Sequence, residues 1–333
     1  MKSPALPLPL IAAFIVLFPI EPAPAASPFA LSPNPALKNE PRPDAILRLP
    51  LAPGGAPVQA ETRVLAFLPS ESPPRAVLLC LHGAQTYADW FRPMGDAARR
   101  AGLALYAFDR RGSAGRYSEH GMARIDDRAT WLHDLSSIRD AVSKRHPNVP
   151  IVIVGTSWAA RLALEALADK DQPYAGGVLL VPALRTHLDP NFFEAGWLSI
   201  MNRVAPEKKA KRKLTDDHYT GDPELLKKWL TSDQAWLARD QSWHFAHETS
   251  AQLKAAKNHL SQIKVPVLGF FAENDRVVMA EKSKTWLKDL RTYKTSPVSA
   301  GHGHAAQVEK GKPGKIIREI KAWLQSPAFR IAD

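Results

Sequence analysis

The segment Ile151-Val-Ile-Val-Gly-Thr-Ser157-Trp-Ala-Ala-Arg161 sets a serine between an apolar run and a stretch free of helix breakers. A serine hydroxyl is a poor nucleophile until a base takes its proton, and that base must be oriented by an acid. A sharp strand-to-helix turn lifts such a serine above its sheet and brings the residues two before and two after it almost into contact. Gly155 and Ala159 are small enough for those positions. The turn also puts Ser157 at a helix N-terminus, where backbone amides and the dipole favour a developing anion. By itself a G-x-S-x-A string occurs by chance, and an ordinary turn with a capping serine is the bland alternative. The flanking strand and helix make it specific.

The remaining groups follow from what this chemistry requires. A carboxylate is expected after a later strand and a histidine later still. Asp275, beyond the apolar run Val265–Phe271, is the expected acid, and Glu273 is the alternative. The run Ser299-Ala-Gly301-His302-Gly303-His304 offers two imidazoles. His302 is the expected base, because small neighbours let its loop fold back over the nucleophile; His304 is the competitor. An acyl-transfer oxyanion needs two converging N–H donors. The amide of Trp158 is one candidate. The amide of Ala84, in Leu79-Cys-Leu-His82-Gly83-Ala84, is the other. His82 then has a structural part, bonding its loop rather than moving protons. In Phe108-Asp-Arg-Arg-Gly-Ser113, Arg111 and Gly112 are expected to buttress the His82–Gly83 turn.

Elements that position these groups can be read from periodicity. Strands are predicted at Val64–Leu68, Ala76–Leu81, Leu103–Phe108, Ile151–Val154, Gly177–Val181, Val265–Phe271 and Tyr293–Val298. Several are nearly continuous apolar runs, as in strands covered on both faces. Trp131, Leu135, Ile138 and Val142 recur at helical spacing over 129–145, as do Ile316, Ile317, Ile320, Trp323 and Leu324. Strands alternating with helices predict an α/β fold with a mostly parallel central sheet. The alternation lapses over 187–264, which holds Trp197, Trp229, Trp236 and Trp243 and reads as an inserted helical cap. Residues 61–186 and 265–333 then form the core. Residues 26–60, rich in Pro and Ala, read as a linker or loosely packed arm.

Residues 1–25 read as a secretory signal: Lys2, an apolar run over 10–18, then Ala23-Pro-Ala25. Bacterial-type export to the periplasm or medium is expected, with an uncleaved anchor as the alternative. Lys2 and Glu21 cancel, so the formal net charge of +11 belongs to the remainder. Cys80 is the sole cysteine, so no internal disulfide is available and the core must carry stability. The basic run Lys208–Lys213 lacks the aromatic interleaving of a nucleic-acid module, so nucleic acid is not expected. It is a solvated cap face or a surface attracted to anionic lipid headgroups. His244 and His247 share a helix face, but no third metal ligand stands out nearby. Phe192, Phe193, Trp197, Leu198, Ile200 and Met201 form an apolar group, either cap core or the lining of an acyl entrance.

Taken together, residues 60–325 resemble the α/β-hydrolase superfamily, and within it the monoacylglycerol lipase/lysophospholipase branch grouped by sequence with serine aminopeptidases. The resemblance rests on His82-Gly-Ala84, Asp109-Arg-Arg-Gly112, Gly155-Thr-Ser157-Trp-Ala159, Glu273-Asn-Asp275-Arg-Val-Val and Gly301-His302. It implies Ser157, Asp275 and His302 as the triad, Ala84 and Trp158 as oxyanion amides, and a helical cap over 187–264. Ala159 departs from the usual glycine, the Arg-Gly loop has its second glycine shifted, and Trp158 is bulky beside the nucleophile. The resemblance implies hydrolysis of single-chain lipid esters through an acyl-serine, with no cofactor and no obligate protein partner. The rivals are an aminopeptidase, which would anchor a substrate amine on cap carboxylates, and a non-catalytic binding protein on the same scaffold.

Overall fold

A computed structural model describes residues 30–31, 34–53, 60–114, 127–171, 173–210, 214–232, 236–290, 292–297, 299–301 and 303–330. The expected signal and His302 lie outside the described residues.

Among the described residues eight strands form one sheet: β1 (Ala45–Pro50), β2 (Glu61–Phe67), β3 (Val77–Leu81), β4 (Ala104–Phe108), β5 (Ile151–Thr156), β6 (Gly176–Leu180), β7 (Val267–Phe270) and β8 (Tyr293–Thr295). Their order is β1-β2-β4-β3-β5-β6-β7-β8. The pairs β1–β2 and β2–β4 are antiparallel; the others are parallel. Every residue of β3, β4, β5, β6 and β7 is buried, which is why these strands are uninterrupted apolar runs rather than alternating ones.

Among the described residues seven longer helices accompany the sheet: α1 (Arg92–Arg100), α2 (Arg128–Arg145), α3 (Ala159–Ala168), α4 (Phe192–Val204), α5 (Trp243–His259), α6 (Ala280–Leu287) and α7 (Lys312–Gln325). Met94 and Ala98 of α1 and Ile316, Ile320 and Trp323 of α7 pack in one apolar layer. Trp131, Leu135 and Ile138 of α2 and the apolar side of α3 build the other. Asp127 caps α2 by accepting from the Thr130 amide at 2.9 Å. The predicted strands and helices of the core are present, with ends shifted by up to three residues.

The expected loose arm is corrected. Ala45–Pro50 is an edge strand registered against Glu61–Ala66, and Ala45, Leu47 and Leu49 bury alternate side chains. The pattern was hidden because Arg48 and Pro50 occupy its outward positions. Further back, Leu37 is fully buried in a cluster with Trp90 and the cap residues Tyr219, Trp229 and Trp236. Asn34 donates from Nδ2 to the Lys228 carbonyl at 3.0 Å. The arm therefore clamps the cap.

Within 187–264 the described elements are α4, a 3-10 turn at Asp216–His218, a short helix at Pro223–Leu226 running into a π-helical turn at Lys227–Thr231, α5, and a 3-10 turn at Leu260–Gln262. Asn191 and Glu194 form a reciprocal capping box at the start of α4. No residue of α4 is buried, and Phe192 and Phe193 are more than four-fifths exposed. Of the two readings of this apolar group, cap core is excluded. Trp197 and Leu198 line a cavity instead. Among the described residues no helix is long and apolar enough to cross a membrane.

Candidate active site

Strand β5 runs directly into Ser157, whose φ of +56° is a left-handed value that side-chain-bearing residues seldom adopt. The strain is held by bonds on both sides. The Ser157 amide donates to the Leu180 carbonyl at 2.8 Å, and its carbonyl accepts from Ala160 at 3.1 Å and Ala183 at 3.1 Å. Such a residue persists only where its surroundings over-determine it, and that condition is common at functional sites. A Cβ on Gly155 would lie 2.7 Å from the Ala159 carbonyl oxygen and 2.8 Å from the Ala160 Cα. The crowding read from the sequence is real, and Ala159 fits it.

The hydroxyl of Ser157 lies 2.6 Å from Nε2 of His304. On the other side of the ring, Nδ1 lies 2.8 Å from Oδ2 of Asp275. With Asp275 accepting from Nδ1–H, Nε2 is free to accept the serine proton. His304 and Asp275 each expose only 2% of their side chains. The expected base, His302, is thus corrected to its competitor, His304. The physical reason lies in the loop. Gly301 has φ of +142°, and Gly303 packs so closely on the cap that an added Cβ would lie 2.6 Å from the Tyr219 carbonyl oxygen. The His304 amide donates to that same carbonyl at 2.8 Å. Each position sits beside a glycine, so composition could not separate the two imidazoles.

Asp275 is the acid that meets the imidazole. Oδ1 accepts from the amides of Val277 and Val278, each at 2.8 Å. Burial pushes its carboxyl up, but the His304 ring and the two amides outweigh that, and it stays below the usual carboxylate range. Glu273 is exposed, and its amide donates to the Gly301 carbonyl at 2.8 Å.

His82 is fully enclosed. Nδ1 donates to the Gly83 carbonyl at 2.8 Å, and Nε2 accepts from the Arg110 amide at 3.0 Å. Burial, with the nearby Arg110 charge, pulls its imidazole down to about 3, so it is neutral in the folded chain. Gly83 backs the nucleophile: a Cβ there would sit 3.5 Å from that of Ser157. The buttress expected of Arg111 belongs to Arg110, whose Nη2 donates to the Ala84 carbonyl at 2.9 Å. Its guanidinium also lies over the rings of Trp158 and Phe245. Arg111 instead forks onto Asp134 of α2, at 2.9 and 2.6 Å, and onto the Ala52 carbonyl at 2.9 Å. Sequence could not divide the work of two adjacent arginines.

Trp158 follows Ser157 directly in the chain, and Ala84 follows Gly83, whose Cα backs Ser157. Trp158 is the N-cap residue of α3, so its amide lies where helix amides lack intrahelical partners. The loop beyond Ala84 is held from the cap as well, because the Gln85 carbonyl accepts from Ala238 at 2.9 Å. The Trp158 ring is turned away, edge-on to Trp131 at 4.8 Å.

Beyond Ala84 and Gln85 opens a cavity of about 900 Å³ between core and cap. Its apolar walls include Leu188, Trp197, Leu198, Leu253 and Trp286. Sequence reading missed Arg161, which lines the cavity one turn along α3 from Ser157. The signal was a charged residue in a largely apolar, buried helix that carries one other charge, Glu165.

A family profile described as serine aminopeptidase, S33, matches residues 72–311. The chain is 24% identical over 158 residues to a monoacylglycerol lipase of Mycolicibacterium smegmatis, covering 47% of this chain and 55% of that protein. It is 22% identical over 269 residues to human monoglyceride lipase, covering 75% of this chain and 82% of the relative. In three dimensions it is similar to a soluble variant of Saccharomyces cerevisiae monoglyceride lipase, with a TM-score of 0.68, 16% identity, and coverage of 85% and 98%. A carboxyl esterase from Bacillus coagulans gives 0.69 at 14% identity, covering 84% and 97%. These likenesses to solved structures establish the fold, and the profile spans most of the core and the whole cap: the chain belongs to the serine aminopeptidase S33 family, among monoglyceride lipase-like α/β-hydrolases.

Proposed function

We propose that the chain hydrolyses carboxylic esters of single-chain lipids, monoacylglycerols or lysophospholipids, through an acyl-serine intermediate. The observation that carries this is the relay from Asp275 through His304 to Ser157, with contacts of 2.8 and 2.6 Å. Ser157 attacks the ester carbonyl while His304 takes its proton and passes it to the leaving alcohol. Asp275 orients the ring and stabilises its charged form. The amides of Ala84 and Trp158 receive the oxyanion; losing one such donor typically costs about 10²–10³ in rate. The names of the sequence relatives and the apolar cavity walls support an acyl chain as the bound group.

The aminopeptidase reading fits less well. A substrate amine needs carboxylates, whereas Arg161, Arg185, Arg239, Lys254 and Lys257 outnumber Asp189 and Glu194 around the cavity. The apolar residues exposed on α4, with the basic cap, support delivery at an anionic membrane surface. Export on the strength of residues 1–25 belongs to the same proposal.

The test is labelling by a fluorophosphonate probe together with turnover of p-nitrophenyl esters and aminoacyl-p-nitroanilides. The proposal expects labelling that Ser157→Ala abolishes, with esters turned over far faster than anilides. Equal labelling of the variant, or faster anilide turnover, overturns it.

A further inference from the structure

Arg161 is charged, more than nine-tenths buried, and not accounted for by the ester chemistry above. Its Nε donates to the Ala183 carbonyl at 2.8 Å, and Nη1 donates to the Thr249 carbonyl of α5 at 3.0 Å. Among the described residues Nη2 has no hydrogen-bond partner and no carboxylate pairs with the group. The other cavity arginines differ. Arg239 is paired with Asp216, and Arg185 faces Asp189 at 3.5 Å. Asp189 also accepts from the Thr186 hydroxyl at 2.6 Å and the Thr186 amide at 3.1 Å, so its carboxylate is already engaged. Burial pulls the Arg161 guanidinium down to about 10, with Asp189 opposing.

Two carbonyls orient a guanidinium but do not neutralise it, Asp189 acts on it only at a distance and is shared with Arg185, and a buried charge without a directly bonded counter-charge is costly. If Arg161 merely stapled α5 to the core, a neutral donor would do so at lower cost. The unspent edge of the fork belongs to a residue lining the cavity, one helical turn past Ser157. A planar fork matches an oxyanion of the phosphate or carboxylate kind. Lys254 and Lys257 add positive charge to the same walls, and Leu198, Leu253 and Trp286 supply apolar surface.

We infer that the cap cavity receives the anionic end of an amphiphile, an oxyanion headgroup on a single chain, and that Arg161 is the group that recognises it. This rests on the ester-hydrolase reading and narrows it: among single-chain esters, those with a phosphate-bearing head are preferred to neutral glycerides.

The experiment uses ligands without an ester, so that it reads the cavity and not the chemistry. Binding of dodecyl phosphate, of 1-O-dodecylglycerol and of inorganic phosphate is followed by tryptophan fluorescence, since Trp197, Trp243 and Trp286 line the cavity. The parent is expected to bind dodecyl phosphate about tenfold or more tighter than the neutral ether. Millimolar inorganic phosphate should not displace it. Arg161→Gln should abolish the preference, and Arg161→Lys should keep part of it. Should R161Q not fold, R161K decides: its preference must fall, because an ammonium lacks the fork. Equal affinities in the parent, an undiminished preference in either variant, or displacement by inorganic phosphate overturns the inference. Failure of the hydrolase reading has a different signature: dodecyl phosphate still binds, yet Ser157 takes no fluorophosphonate.

Discussion

Small neighbours favoured His302 over His304 in one glycine-rich loop, and a single hydrogen-bonded chain selects His304. His304 bridges Asp275 and Ser157. His304→Ala is therefore expected to lower p-nitrophenyl butyrate turnover by about 10³–10⁶, the range seen when a triad base is removed. His302→Ala should stay within about tenfold of the parent, well short of a lost base. Reversal of that order would return the base to position 302. His82 gives a different prediction. Its folded value of about 3 lies below the ordinary 6.5. Between those values the unfolded chain binds a proton that the folded chain refuses. Its contribution to stability is thus complete above pH 6.5 and lost as pH falls toward 3. The steepest expected slope is about 1.4 kcal/mol per pH unit. Urea midpoints measured at intervals from neutral to mildly acid pH should fall more steeply in the parent than in His82→Asn. Parallel curves would show that His82 titrates normally in the fold.

Strands and helices of the core were legible because burial on both faces writes itself as runs, and one-sided burial as a period. Gly155 was legible for the same reason, since its absent Cβ leaves room for the carbonyl of Ala159. Strand β1 was not, because a proline and an arginine interrupt a six-residue edge strand. Helix α4 was half legible: its apolar residues were plain, but not their side. Phe193, Trp197, Ile200 and Val204 fall at i, i+4, i+7 and i+11, and each is more than half exposed. An apolar stripe left in water on a cap over a lipid-sized cavity is suited to a membrane surface. Replacing Phe193 and Ile200 together by serine should move thermal stability little, since surface changes are usually within about 0.5 kcal/mol. It should cut co-sedimentation with anionic vesicles and slow hydrolysis of vesicle-borne esters, leaving soluble p-nitrophenyl esters near the parent rate. Equal loss on both substrates would assign the stripe to the fold instead.

Across the whole molecule the cap grips the site through backbone groups, and that explains why the sequence left its position blank. Tyr219 accepts from the His304 amide, Ala238 donates to Gln85 beside Ala84, and Thr249 accepts from Arg161 on the helix that follows Ser157. Carbonyls and amides occur at every residue, so contacts of this kind leave no side-chain signature. Their consequence is that cap and triad share one geometry. Gly303 tests this directly. A new Cβ there would meet the Tyr219 carbonyl at 2.6 Å and the Thr220 Cα at 3.3 Å. Either the cap segment or the His304 loop must give way. A displacement of about 1 Å at a catalytic group can cost about 10²-fold in rate. Gly303→Ala is accordingly expected to lower kcat by about 10- to 100-fold on a soluble ester. Fluorophosphonate labelling should slow in step, because the same base activates Ser157. An unchanged kcat would mean that the cap yields without disturbing the base, and that core and cap are mechanically independent.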